Sequence, residues 1–220
     1  MREAAASPSF AIPHSKTGAV EAAAAAAPWP MRWLGRRRSA FPSAPVVAAP
    51  STRLLVLQPT PFCNLDCSYC YLPDRDVTHR MSLPTVRQAA QRLRDDALVG
   101  DELTVVWHAG EPLAVPIDFY REAFAVMAEV LGPRTQVNHA MQTNATLIDA
   151  AWCRLFSEHQ VRVGVSIDGP AGLHVRHRRT RNGKPTHAKV LHGLQQLRAQ
   201  GIAFHAIAVV TRDTLAEPDA

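Results

Sequence analysis

The chain of 220 residues is long enough for one sizeable domain, or one domain with a tail, and its hydrophobic fraction of 47% is ordinary for a globular protein. The formal charge of +5 and pI near 9.4 are mildly basic, but much of the excess sits in two local clusters, residues 36–38 and 176–181, without interleaved exposed aromatics, which argues against a nucleic-acid partner. No run of roughly twenty consecutive apolar residues occurs, so no membrane-spanning helix is expected.

Residues 1–50 differ from the rest. An alanine run, several prolines and the basic stretch from Met31 to Arg38 show no periodic apolar face, which predicts a disordered tail ahead of a core domain over 51–220. The alanine run is too short and too weakly apolar for a signal-peptide core, and Met31 offers an alternative start. Further on, strand and helix patterns alternate. Residues 54–58 form a short apolar run, as for a strand buried on both faces. A helix is expected over 83–98, with Ser82 as N-cap and Pro84 in its first turn. A second strand is expected over 103–108, a helix over 117–131 stopped by Gly132, and a weaker third strand over 137–141. A helix over 147–158, a strand over 161–167, a helix over 187–200 and a fifth strand over 203–211 complete the pattern. Such alternation with short connections predicts an α/β fold with a parallel sheet, either doubly wound or a barrel, with its site at the C-terminal strand ends. No helix is expected after the fifth strand, and the chain reads as a fragment.

Chemistry concentrates on one loop. Cys63, Cys67 and Cys70 form a C-x3-C-x2-C cluster just after the first strand, while Cys153 falls in an apolar helical pattern and is expected to be a small buried hydrophobe. Three thiols this close, with no secretory signal, point to metal or cofactor ligation in a reducing, cytoplasmic compartment. Three thiolates can ligate three irons of a [4Fe-4S] cubane and leave the fourth open, as a catalytic centre requires. The alternative is a zinc site completed by a histidine such as His79, in a noncatalytic α/β module. The spacing favours the cluster, because structural zinc more often uses two distant C-x2-C knuckles.

The loop, with Tyr69 before its last cysteine, resembles the signature of the radical S-adenosylmethionine (SAM) superfamily. The resemblance covers residues 54–220 and implies a partial (β/α)6 TIM-like barrel, incomplete at its C-terminal end. It also implies a [4Fe-4S] cluster whose free iron is chelated by SAM, which is reductively cleaved to a 5′-deoxyadenosyl radical. Tyr69 would lie near the adenine. Ala109-Gly110-Glu111-Pro112 resembles the family's GGEP motif, which receives the methionine amino group; Ala109 departs from the usual glycine. Gln142-Thr143-Asn144 ends the third strand, where Asn144 would face SAM, and Ser166-Ile167-Asp168-Gly169-Pro170 ends the fourth. In the sulfatase-maturase branch the serine at this place contacts the ribose, and an arginine twelve residues on pairs with the SAM carboxylate; Arg178 matches, with Val175 a departure from the expected aspartate. An arginine suits that task because its fork binds a carboxylate bidentately.

Together these segments look like the peptide-modifying branch, which includes anaerobic sulfatase maturases and maturases of ribosomally made peptides that form cyclophane crosslinks. The implied partners are a precursor peptide or protein substrate and a flavodoxin- or ferredoxin-like electron donor. Formylglycine formation on a sulfatase serine or cysteine is the alternative within the same chemistry. His108, before the GEP turn, is a candidate side chain facing cofactor or substrate, or else a strand-end cap. His174, His177 and His187 carry weaker signals. The branch's cysteine-rich C-terminal extension, the SPASM domain, has no counterpart in this sequence, since Cys153 is the only cysteine left over.

Overall fold

The computed structural model describes residues 52–217 and Asp219; the tail expected over residues 1–50 lies outside the described residues. The elements run β1 (Thr52–Leu57), α1 (Leu83–Asp95), β2 (Val99–Trp107), α2 (Ile117–Leu131), β3 (Gln136–Thr143), α3 (Ala150–Glu158), β4 (Arg162–Ser166), α4 (Ala171–His177), α5 (His187–Ala199), β5 (Phe204–Ile207) and α6 (Arg212–Leu215). Every neighbouring pair of strands is parallel, and the sheet order is β1-β2-β3-β4-β5. A doubly wound sheet reverses its order at a switch point, whereas this sheet advances in one direction, as a barrel wall does. None of the helices among the described residues is long and apolar enough to cross a membrane.

The sequence patterns locate the elements, and local chemistry shifts their ends. Helix α1 starts where Ser82 accepts a hydrogen bond from the Thr85 amide at 3.2 Å. It stops three residues short of expectation because Ala97 turns left-handed (φ 51°) and the Leu98 amide closes back onto the Leu93 carbonyl at 2.9 Å. That early stop lets β2 begin at Val99, four residues ahead of the expected start. Helix α3 begins at Ala150 instead of 147, because the Asp149 carboxylate caps the Ala151 and Trp152 amides at 2.9 and 3.0 Å. Two helices went unforeseen. Short α4 follows Pro170, and α6 is a single turn closed by a Thr211–Thr214 capping box after β5, where no helix was expected.

The helix-facing side of the sheet carries the core, in which Leu103, Val105, Trp107, Met141, Val163 and Val165 are at most 1% exposed. Trp107 anchors it. Its ring meets Phe119, Tyr120 and Phe124 of α2 with centroids 6.0, 5.3 and 5.9 Å away, a geometry that adds to simple burial. Its indole N–H donates to His139 Nδ1 at 3.4 Å, and His139 stacks on Phe124 at 3.9 Å. Burial first, and then nearby His159, lowers the His139 pKa to about 3, so the ring stays neutral. Cys153 is 1% exposed within this core, as expected. The other face of the sheet is open. Leu54 and Val56, expected to be covered on both sides, are 56% and 53% exposed, because among the described residues the helices pack only against the opposite face.

Helix α5 packs hard against the end of β3. A Cβ on Gly193 would lie 2.2 Å from the Ala145 carbonyl, so only glycine allows that approach, whereas Gly172 of α4 faces open space. Gly193→Ala is expected to cost about 2 kcal/mol and lower the melting temperature by roughly 5 °C. Gly172→Ala is expected to stabilise by about 0.5 kcal/mol. Thermal unfolding of both variants checks the contrast, and equal effects at the two positions would refute the packing.

Candidate active site

The ends of all five strands contribute to one cavity of about 320 Å³, lined by Cys63, Cys67, Tyr69, Cys70, His108, Gly110, Glu111, Asn144, Ser166, Arg178 and Val209, among others. All three cysteines expected to act together are therefore brought together. Of the remaining candidates, Pro112 and Asp168 lie beneath the cavity wall instead of lining it. His79, the fourth ligand of the zinc alternative, lines a separate cavity with Gln58 and Thr85.

The cysteine loop is held from two sides. From its own chain end, Arg75 pairs with Asp66 at 2.8 Å and donates to the Cys67 carbonyl at 3.3 Å. From the far side comes the stretch that starts at the last residue of α4. Its His177 and Arg179 carbonyls accept from the Ser68 and Asp66 amides at 3.1 and 2.8 Å, and Thr180 forms an antiparallel bridge with Leu65, which is 1% exposed. Arg181 reaches the Cys63 and Arg75 carbonyls at 3.5 and 3.1 Å. A basic run such as 176–181 is by default a solvated face, yet here it clamps the loop. Arg75 and Leu65 carried no sequence signal for this role beyond lying near the cysteines.

The GEP turn packs against that loop without space to spare. Gly110 is left-handed (φ 63°), and a Cβ there would sit 2.2 Å from the Thr60 carbonyl and 2.7 Å from that of Phe62. The Glu111 amide donates to the Phe62 carbonyl at 2.7 Å. Ala109 adopts φ 74° where the family's motif has glycine, a conformation that an alanine takes at a cost. The Glu111 side chain, 1% exposed, accepts from the Leu113 amide (2.9 Å), the Thr143 hydroxyl (2.6 Å) and the Asn144 amide (2.8 Å). Its carboxylate is thus a tie between the ends of β2 and β3. Burial raises its pKa despite these three donors. Tyr120 completes the anchorage by donating to the Pro112 carbonyl at 2.7 Å.

A second buried carboxylate organises the opposite wall. Asp168, 3% exposed, receives the Arg178 Nε and Nη2 at 2.8 and 3.1 Å, the Tyr69 hydroxyl, and the Val209 amide at 3.0 Å. The Arg178 guanidinium also lies 5.4 Å from the Tyr69 ring centre. Burial alone would raise the Asp168 pKa, but hydrogen bonds from Arg178 and Tyr69 outweigh it and hold the carboxyl below its ordinary value. His174 supports the Asp168 backbone. Thr186 spends its only proton on the Arg178 carbonyl at 2.7 Å, so His174 Nε2–H donates to Thr186 and Nδ1 accepts from the Asp168 amide at 3.3 Å. This histidine is structural. Burial, with Arg178 second, lowers its pKa to about 4.

Burial pushes the Cys63 thiol up to about 12, with the Glu111 carboxylate adding to it, and raises the Cys67 thiol against the pull of Arg178. His108 lines the cavity, burial lowers its pKa, and its Nδ1 is buried without a partner. The residues fit an iron–sulfur centre. The three thiols share one cavity, yet among the described residues no three His, Cys, Asp or Glu side chains converge on a point where one metal ion would sit.

Residues 57–220 match the family described as the Radical SAM superfamily. An uncharacterised protein of Synechocystis, sll1766, is 42% identical over 173 residues, 76% of this chain and 43% of that protein. The serine-type anaerobic sulfatase-maturating enzyme of Klebsiella aerogenes is 33% identical over 183 residues, 82% of this chain and 45% of its own. Among solved structures, anSMEcpe with bound AdoMet superposes with a TM-score of 0.70 at 25% identity, covering 76% of this chain and 46% of that one. Streptococcus suis SuiB bound to its precursor peptide SuiA, at 17% identity and a TM-score of 0.55, shares the fold. The chain spans less than half the length of these relatives.

The Asp168–Arg178 pair gives a pH test. A carboxyl held below its unfolded value of 3.8 contributes stability that is full above that pH and fades as pH falls through the lower folded value. Asp168→Asn, which leaves Arg178 buried and unpaired, is expected to cost about 3 kcal/mol at pH 7. The gap from wild type should be smaller at a pH below 3.8 than at pH 7, and should keep narrowing as pH falls further, measured by urea unfolding of the cluster-free protein. An equal gap at both pH values would contradict the ion pair.

Proposed function

The chain belongs to the radical SAM superfamily, and on that footing we propose that residues 51–220 form the cluster- and SAM-binding core of an enzyme that modifies a side chain of a peptide or protein. The observation that carries this reading is the single cavity shared by Cys63, Cys67, Cys70, Gly110, Ser166 and Arg178. The three cysteines, free thiols that line one cavity, would ligate three irons of a [4Fe-4S] cluster and leave the fourth without a protein ligand. When bound, the cluster supplies the electron that cleaves SAM to a 5′-deoxyadenosyl radical.

The chain's own residues then have distinct tasks. Arg178, fixed through Nε and Nη2 by Asp168, keeps Nη1 for the SAM carboxylate. Tyr69 is held by the same carboxylate and would lie beside the adenine, with Ser166 at the ribose. The crowded backbone at Gly110 and Glu111 would meet the methionine amino group, while the Glu111 side chain keeps that backbone in place. His108 would present a neutral ring to the substrate side of the cavity. A one-electron donor of the flavodoxin or ferredoxin class and a reducing compartment such as the cytoplasm suit these free thiols.

Formylglycine formation on a serine or cysteine is a second reading, favoured by the identity of 33% to a serine-type sulfatase maturase. Maturation of a ribosomally made precursor peptide, cyclophane crosslinking included, is the first.

Anaerobic reconstitution with iron and sulfide tests the core claim. Wild type should take up a reducible [4Fe-4S] cluster whose electron paramagnetic resonance (EPR) spectrum changes on adding SAM, with release of 5′-deoxyadenosine. Changing Cys63, Cys67 or Cys70 to alanine should remove the cluster, whereas Cys153→Ala should keep it. Stoichiometric zinc and no reducible cluster in the wild-type chain would sink the reading.

A further inference from the structure

Asn144 has a position that its expected contact with SAM does not explain. It follows β3, is 7% exposed, and belongs to a closed ring of side-chain hydrogen bonds. The Thr146 backbone amide donates to Asn144 Oδ1 at 3.0 Å, and a backbone N–H can only donate. That bond alone settles which end of the Asn144 amide is oxygen. The Thr146 hydroxyl donates to the same oxygen at 2.7 Å and, having spent its proton, accepts from Asn64 Nδ2 at 2.9 Å. Asn64 Oδ1 is then left to accept from Asn144 Nδ2 at 2.8 Å, which closes the ring. The remaining N–H of Asn144 is directed at Cys63 Sγ, 3.8 Å away. The Leu65 amide also reaches this sulfur, at 3.4 Å. Among the described residues, neither Cys67 nor Cys70 has a comparable donor to its sulfur.

From this geometry we propose that Asn144 is a positioning residue acting through Cys63, whose N–H···S contact raises the reduction potential of the cluster that the cysteines hold. The proposal rests on the radical SAM reading above. Reduction adds negative charge that spreads onto the thiolate ligands, and a fixed donor at a sulfur stabilises the reduced form more than the oxidised one. The ring supplies the fixing. Flipping the Asn144 amide would set its NH2 group against the Thr146 amide and its oxygen against Asn64 Oδ1, losing two hydrogen bonds together and leaving two like groups face to face at each. Tying this amide to Asn64, the residue next to Cys63, also makes the loop and its donor move as one unit.

EPR-monitored redox titration of the reconstituted full chain, without SAM, is the test. Asn144→Ala is expected to lower the ratio of reduced to oxidised cluster at a fixed potential about fivefold, the worth of one hydrogen bond near 1 kcal/mol, or about 40 mV for a one-electron couple. Asn144→Asp, of the same shape but anionic, should lower it further. Asn64→Ala leaves the donor in place but unlocks its orientation, and should give a smaller shift of the same sign; it serves alone if neither change at Asn144 permits iron uptake. Wild-type midpoints in every variant that loads iron would overturn the proposal. So would a defect seen only as a lost response to SAM, which would make Asn144 a SAM contact. Failure of the wild-type chain to hold any reducible cluster would instead overturn the functional reading on which the proposal rests.

Discussion

The site depends on one close approach, that of the GEP turn to the cysteine loop. Gly110 leaves no room for a side chain against the Thr60 and Phe62 carbonyls, and the Glu111 amide bonds to the second of these. From the same residue, the Glu111 carboxylate reaches across to the end of β3, and Tyr120 of α2 secures the Pro112 carbonyl. Three strand ends and a helix are thereby fixed through three consecutive residues. A buried carboxylate is costly unless its lone pairs are used, and three donors within 2.9 Å answer that cost here. The carboxylate's work is structural before it is anything else, and its value to the cavity lies in the backbone it immobilises.

The opposite wall solves the same problem with a charge pair. Asp168 takes four hydrogen bonds from three places: the cysteine loop, the segment after α4 (two bonds from one guanidinium) and the chain after β5. An isolated ion pair at this depth gains little net stability, because desolvation opposes the attraction. What it adds is orientation. Arg178 is held so that only part of its fork remains free, and Tyr69 is turned by the same carboxylate, so two cavity-lining groups share one support.

The parts of this arrangement that were legible in the sequence are those with short-range signals. Strand and helix order followed from periodicity, and the cysteines, GEP turn and strand-end motifs declared their place by order along the chain. Boundaries escaped where one residue decided them, as with left-handed Ala97 ending α1 or the Asp149 cap starting α3. The weak third strand owed its faintness to polar residues that serve the fold: His139 is a stacking partner for Phe124, and Asn138 bonds to Glu102. Long-range contacts were beyond reach. Nothing near residue 180 announces a bridge to Leu65, and the ring of Asn64, Thr146 and Asn144 joins positions about eighty residues apart. Asp168 and Pro112 were legible as members of their motifs, but their burial behind the wall depends on partners that only the fold supplies.

Strand geometry explains how a stable wall and an adaptable cavity coexist. Successive residues of a strand point to opposite faces. At the cavity three lining residues therefore each follow a core residue: His108 follows Trp107, Gln142 follows Met141, and Ser166 follows Val165, with all three anchors at most 1% exposed. The anchor sets where the backbone runs, and the next side chain takes its position from that backbone. Interiors packed this closely do not yield smoothly, so a change at Trp107, Met141 or Val165 displaces the neighbour that faces the cavity. Not every cavity-facing residue is tied as firmly as Glu111, Asn144 or Arg178. Gln142 and Ser166 bond only to each other, Nε2 to Oγ at 3.0 Å, among the side chains described. Whichever side chains face the cavity, the helix-facing layer keeps the strand ends, and with them the cysteine loop, in place.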